Sequence, residues 1–270
     1  MKRMLRMLSL VAATALAVGC QTVQTTNSGA VGVTRGQSML VSAAEIEQAS
    51  AQAYDQVLQE ARSKGVLNQA AKQVQRGRRI ANRLIPHTAA FRPDAVNWKW
   101  EVNVITSDQL NAWCMAGGKI AFYTGLINKL SLTDAEIAAV MGHEIAHALR
   151  EHSRERASRA MVTNLGLSVL SAVTGVGQGG ANLMGAVAKV TFELPNSRLH
   201  ETEADSVGVE LAARAGYDPR AAVNLWQKMS KASNGAPPQF LSTHPSYATR
   251  QQDLARDAQR VMPLYQAARR

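Results

Sequence analysis

Apolar residues crowd the run from Asp134 to Leu149: Ile137, Ala138, Ala139, Val140, Met141, Ile145, Ala146, Ala148 and Leu149 leave few polar positions between them. Such spacing predicts a helix buried on most of its sides. Thr133 in front of it, with Glu136 three residues on, makes a capping box that closes the first turn. A second helical pattern, "LPNSRLHETEADSVGVELAARAGYDP" at 194–219, begins after Pro195 and stops at Gly216, with Pro219 just beyond. Two further helices are expected near 43–63 and 67–84, and "WKWEVNVI" and "AWCMAGGKIAFYT" read as strands with a turn at Gly117-Gly118. The elements make an α+β protein, mainly α, with one domain from 41 to 270, ample for a core at this length.

Three polar residues, His143, Glu144 and His147, interrupt the first helix where packing does not require them. Buried imidazoles and a buried carboxylate must find partners or be costly. Residues four apart share a helix face, so His143 and His147 aim two nitrogens at one point. Glu144, about 100° further round, reaches the same volume without binding there. This is the HExxH arrangement, two zinc ligands and a general base.

Catalytic zinc takes three protein ligands and leaves one position for water. One known pattern would need Gly at 150 and His at 153, where the chain has Arg150 and Ser153; another needs a glutamate about twenty residues downstream, but after Glu155 the next acid is Glu193. The 194–219 helix supplies the remaining choice. Glu201, Ala204, Asp205, Gly208, Leu211, Ala212 and Ala215 share one face, whereas Glu203 and Glu210 point elsewhere, Glu210 pairing with Arg214 in the usual solvated way. Glu201 is therefore the expected third ligand, with Asp205, one turn later, orienting a ligating histidine. Small residues at 204 and 208 let this helix pack closely against the HExxH helix.

"HEIAH" followed by "ETEAD", with "LNAWCMAGGKIAFYTGLI" upstream and "STHPSYATR" downstream, resembles the M48 zinc metallopeptidases, especially the small bacterial lipoprotein members related to the mitochondrial Oma-type protease. The resemblance covers roughly 45–260 and holds four motifs in family order. It implies a zincin-like domain with a small β-sheet packed on the HExxH helix, one Zn2+ per chain held by His143, His147 and Glu201, Glu144 as base and Asp205 behind the ligands. It further implies Arg198 as a basic residue near the site, and His244 as a histidine that either helps the oxyanion or covers the zinc in a closed state. The implied activity is endoproteolysis of damaged or misassembled envelope proteins. The alternative is a periplasmic chaperone or assembly factor for outer-membrane proteins with a mostly closed zinc site. A structural zinc domain is a third reading if His244 is a permanent fourth ligand.

The N-terminus, "MKRMLRMLSLVAATALAVGCQ", has a basic start, a short apolar stretch and a small residue before Cys20. Residues 1–19 read as a lipoprotein signal peptide, Cys20 as the lipidated first residue, and the polar, Gly-rich stretch 20–40 as a flexible tether. Gln21 after the cysteine resembles outer-membrane sorting, which places the protein on the periplasmic face of the outer membrane. Cys114 then has no intrachain partner and reads as buried filler in a strand. The net charge is +10, and Arg76, Arg78, Arg79 and Arg83 cluster in a basic stretch. Export argues against nucleic acid as a partner, leaving polypeptides and, through the lipid, a membrane. The Gly-rich apolar stretch 161–190 is either a helical hairpin covering the site or touching the bilayer, or two packed core helices with a Gly linker at 175–180.

Overall fold

The computed structural model describes residues 21–174, 183–232, 239–246 and 248–270, except for the side chains at 21, 164–174, 183, 184 and 186. The signal-peptide stretch, Cys20 and the Gly linker at 175–180 lie outside the described residues. The chain opens with two short strands, β1 (Gln21–Val23) and β2 (Gln37–Met39), paired antiparallel. Helices α1 (Ala43–Ser63) and α2 (Ala71–Leu84) follow. Strands β3 (Glu101–Ile105), β4 (Ala112–Met115) and β5 (Lys119–Tyr123) then form a sheet of order β3-β5-β4, with β3 parallel and β4 antiparallel to β5. The turn between β4 and β5 needs positive φ at two successive positions, 76° at Gly117 and 82° at Gly118, which glycine adopts without a Cβ penalty.

A short helix α3 (Thr124–Lys129) leads into α4 (Asp134–Leu149), the HExxH helix, which has the expected Thr133–Glu136 capping box. Helix α5 (His152–Thr174) begins almost without a linker, because Glu151 takes a left-handed conformation (φ 50°) that turns the chain in one residue. Helix α6 (Leu183–Phe192) comes next, then α7 (Arg198–Arg214), α8 (Ala221–Ala232), α9 (Gln239–Thr243) and α10 (Arg250–Ala268). Helix α7 ends as its sequence indicates. Gly216 has φ 73°, its N–H donates to the Ala213 carbonyl and that of Tyr217 to Ala212, the paired bonds of a Schellman motif.

Helix α4 packs most closely against α7, and the crossing is set by two glycines. A Cβ on Gly208 would lie 2.6 Å from the His143 nitrogen, and one on Gly142 would lie 2.7 Å from the Gly208 carbonyl oxygen. The backbones therefore touch, which brings side chains within one or two turns of the contact on each helix within ligand distance of each other. The small-residue stripe predicted on α7 is this contact.

Two expectations about the surroundings of α7 are corrected. Glu203 and Glu210 are buried rather than solvated, although Glu210 does pair with Arg214. Away from α4, helix α7 is covered by α10 and, at Glu203 and Glu210, by residues 25–37, so helical periodicity had no exposed side to report. That segment is also not a free tether. Val31, Gln37, Met39 and Val41 are buried, the Val31 N–H donates to Glu210, and the Gln37 amide donates to the Arg150 carbonyl and to Glu155.

The basic cluster on α2 is largely accounted for inside the molecule. Arg76 and Arg79 pair with Asp134 at the start of α4, and Arg83 donates to the Ala215 carbonyl and lies over the Tyr217 ring.

Candidate functional site

His143 and His147 leave α4 one turn apart, and Glu201 leaves α7 opposite them. His244 joins them directly after α9, its N–H donating to the Phe240 carbonyl and its ring stacked on Phe240 at 4.4 Å. All four are buried, with ligand atoms within 4.8 Å of one another. The Nε2 atoms of His143 and His147 are 3.1 Å apart, His143 Nε2 is 3.1 Å from His244 Nδ1, Glu201 Oε1 is 3.1 Å from His244 Nδ1 and 3.3 Å from His147 Nε2. Donors at tetrahedral angles about 2.0–2.1 Å from a zinc ion lie about 3.3 Å from one another. The donor set, three imidazoles and one carboxylate, and its spacing both fit Zn2+.

The polar atoms behind the ligands hold them in place. Asp205 Oδ1 accepts from His143 Nδ1 at 2.9 Å, which fixes Nε2 as the nitrogen facing the centre. The Arg250 guanidinium, fully buried, pairs with Asp205 and with Glu201 and lies 3.5 Å over the Trp226 ring. Burial penalises charge on His143, but Glu201 and Asp205 outweigh it and raise its pKa to about 9. Burial alone would raise Glu201, yet His244 and His143 hold it well below the ordinary carboxylate range. Carboxylates kept ionised at full burial define a place for a cation. Burial pushes His147 well below its usual value, leaving the neutral imidazole that a metal needs.

Glu144 stands beside this centre. Its Oε1 is buried without a hydrogen-bond partner and lies 3.4 Å from His244 Nε2. Burial raises the Glu144 pKa, only partly offset by His244 and His143, and the Cys114 backbone N–H bonds the carboxylate. A raised pKa suits a group that must accept a proton and give it up again near neutrality. Beside it opens a cleft lined by Trp113, Cys114, Glu144, His147, Asn196 and His244, with free space of about 40 Å³. That holds a few waters and no peptide. Cys114 is half-buried there, and burial and Glu144 push its thiol pKa well above its usual value, which disfavours the thiolate.

Of the residues singled out in the sequence, His143, Glu144, His147, Glu201, Asp205 and His244 meet at one point. Arg198 does not. It is exposed and donates to Thr249, and the basic residue beside Glu201 and Asp205 is Arg250 instead. Arg250 closes the "STHPSYATR" motif, which is the one mark it carries in the sequence; its pairing with Glu201 and Asp205 appears only in the fold. His152 was also missed. It contacts His147 Nδ1 through its own Nδ1 at 2.8 Å.

Two histidines four apart on a buried helix, a buried glutamate facing them from a second helix and an adjacent carboxylate with one oxygen free of hydrogen bonds have the arrangement of a zincin-type metallopeptidase centre. The family model for peptidase family M48 matches residues 71–258, and the chain belongs to that family. It is 37% identical over 169 residues to the mitochondrial metalloendopeptidase OMA1 of Arabidopsis thaliana, covering 63% of this chain and 33% of that protein. It is 33% identical over 169 residues to the mitochondrial metalloendopeptidase OMA1 of Homo sapiens, covering 58% of this chain and 32% of that protein. With the beta-barrel assembly-enhancing protease of Escherichia coli O157:H7 the identity is 27% over 194 residues, 68% of this chain and 39% of the relative. In each case the match takes in well under two thirds of the relative's own length.

Proposed function

We propose that this chain is a zinc-dependent endopeptidase of the bacterial cell envelope, acting on misfolded or misassembled polypeptides and held at the periplasmic face of the outer membrane by lipid on Cys20. The observation that carries the activity is the convergence of His143, His147 and Glu201 beside Glu144, whose Oε1 is buried with no hydrogen-bond partner. Zinc held by His143, His147 and Glu201 would supply a water of lowered pKa and Lewis-acid polarisation of a scissile carbonyl. Glu144 accepts the water proton and delivers it to the leaving amine. Strand β4 is an edge of its sheet, and Trp113 and Cys114 on it line the cleft, so an extended substrate would add to it by backbone hydrogen bonds. The support for envelope location and lipidation is the N-terminal pattern of basic start, short apolar stretch and Gly19-Cys20. Among the described residues no helix is long and apolar enough to cross a membrane.

His244 has its Nδ1 among the ligand atoms and its Nε2 toward Glu144, and with zinc bound it would fill the position otherwise left for water. We read this arrangement as a closed state, and it is the observation that supports the second reading, an assembly factor in which hydrolysis waits for His244 to leave. The test is to purify the full-length chain in detergent, measure its zinc content, and compare casein cleavage by wild type and Glu144→Gln. Zinc in both with cleavage by wild type alone supports the endopeptidase. Zinc in both and cleavage by neither puts the assembly role first, and absence of zinc from both sinks the metal reading.

A further inference from the structure

His147 is the one ligating histidine whose second nitrogen meets another imidazole instead of a carboxylate. Its Nδ1 is 2.8 Å from His152 Nδ1, and His152 Nε2 is 3.0 Å from Glu203 Oε2. With Nε2 of His147 facing the metal position, its Nδ1 carries the proton and donates to His152. His152 then accepts on Nδ1 and donates from Nε2 to the carboxylate. Only this direction satisfies every atom in the chain. His152 is fully buried, and its ring is stacked on His200 at 4.4 Å and 17°. His200 Nε2 in turn lies 3.2 Å from Glu155 Oε2.

The two carboxylates at the end of this stack are held from the N-terminal segment. The Arg35 guanidinium spans both of them, donating NH1 and NH2 to Glu155 at 2.8 Å each, and Nε and NH2 to Glu203 at 2.6 and 3.1 Å. Gln37, fully buried, adds a donor to Glu155 at 2.8 Å and another to the Arg150 carbonyl at 2.6 Å. Arg150, also fully buried, donates to Glu203 and to the Arg35 carbonyl. A planar five-donor fork bridging two carboxylates fixes both orientations at once, which a lysine does not do.

We propose that His152 and Glu203 form a relay that fixes the ring and tautomer of His147 for metal binding, and that Arg35 and Gln37 are positioning residues that hold the relay. The stretch before residue 41 is then part of the metal centre's support. The proposal rests on His143, His147 and Glu201 being zinc ligands, and its test separates the two.

The experiment is zinc affinity by chelator competition on the detergent-solubilised full-length chain, for wild type, His152→Phe, Glu203→Gln, Arg35→Ala and Arg35→Lys. Glu136→Gln is the control, a buried acid paired with Lys228 at the far end of α4 and outside the relay. Circular dichroism of each metal-free protein reports folding. The expected result is a loss of affinity of about 10–100-fold in His152→Phe and Glu203→Gln, a loss in Arg35→Ala that Arg35→Lys partly restores, and wild-type affinity in Glu136→Gln. A folded His152→Phe that binds zinc within twofold of wild type overturns the relay, and wild-type affinity in a folded Arg35→Ala overturns the role of Arg35. A wild type that binds no zinc overturns the ligand assignment instead. Nitrogen-15 NMR of zinc-loaded wild type needs no variant to fold: His152 protonated on Nε2 and bare on Nδ1 is expected, and the opposite tautomer rejects the relay.

Discussion

Two residues of the site make opposite predictions when altered. On the closed-site reading His244 would be a fourth donor in the position water needs, so His244→Ala should keep zinc on three ligands and raise casein hydrolysis, by about tenfold if closure holds most molecules inactive. A fall in hydrolysis with zinc retained would mean that His244 acts on the oxyanion instead. Glu203 predicts a pH effect. Burial raises its pKa, but bonds from His152 and Arg35 and the charge of Arg150 prevail and hold it at about 2, against an ordinary 4.5. The folded state thus binds fewer protons than the unfolded one between those values, so the contribution is complete above about pH 4.5 and is lost as pH falls toward 2. Unfolding free energy measured by denaturant across that window should drop less steeply in Glu203→Gln than in wild type. A residue four positions from another on a buried helix is legible in a sequence, and so His143, Glu144 and His147 were. Glu201 and Asp205 followed because an acid on a small-residue stripe needs a cation. Arg250 and His152 carry no such local mark, since each acquires its role from a partner that only the fold brings near.

The helix crossing is where sequence and geometry meet at the next scale. Gly142 and Gly208 let α4 and α7 touch through their backbones, and the ligands lie within one or two turns of that contact on both helices. Gly208→Ala would place a methyl 2.6 Å from the His143 nitrogen and 2.8 Å from the Gly142 carbonyl carbon, backbone atoms that cannot swing away. The helices must separate, at a cost of about 1–3 kcal/mol in stability. Separation also pulls Glu201 from His143 and His147, so zinc affinity should fall by about tenfold or more, measured by the same chelator competition. Affinity unchanged alongside reduced stability would show that the ligands follow the helices without strain. The capping box of α4, the glycine stop after α7 and the β4–β5 turn were all readable because each is a local event. What the periodicity of α7 did not reveal is that it is covered on every side, by α4, by α10 and by chain from more than 160 residues earlier. A helix buried all round has no polar side for a moment to detect.

The whole molecule is therefore organised around a segment whose composition suggested a linker. Residues 21–41 contribute apolar side chains to the interior, Val31, Met39 and Val41, and supply partners to three buried carboxylates, Glu155, Glu203 and Glu210. Polar and glycine-rich composition misled here because the segment buries only scattered apolar side chains, with no periodic hydrophobic face, and adds charge pairing and backbone donors to buried acids. Removing it would expose the apolar sites it covers, at about 1.5–3 kcal/mol for each fully buried side chain. It would also strip a partner from buried ion pairs, at about 3–5 kcal/mol where a charge is left uncompensated. Together these rival the entire stability of an ordinary domain, about 5–15 kcal/mol. A chain starting at residue 42 should accordingly unfold more than 10 °C below one starting at residue 21, or fail to accumulate as folded protein. Thermal unfolding of the two metal-free proteins decides it. Equal midpoints would mean that the segment rests on the domain without stabilising it, and residues 21–41 would revert to the tether that their composition suggests.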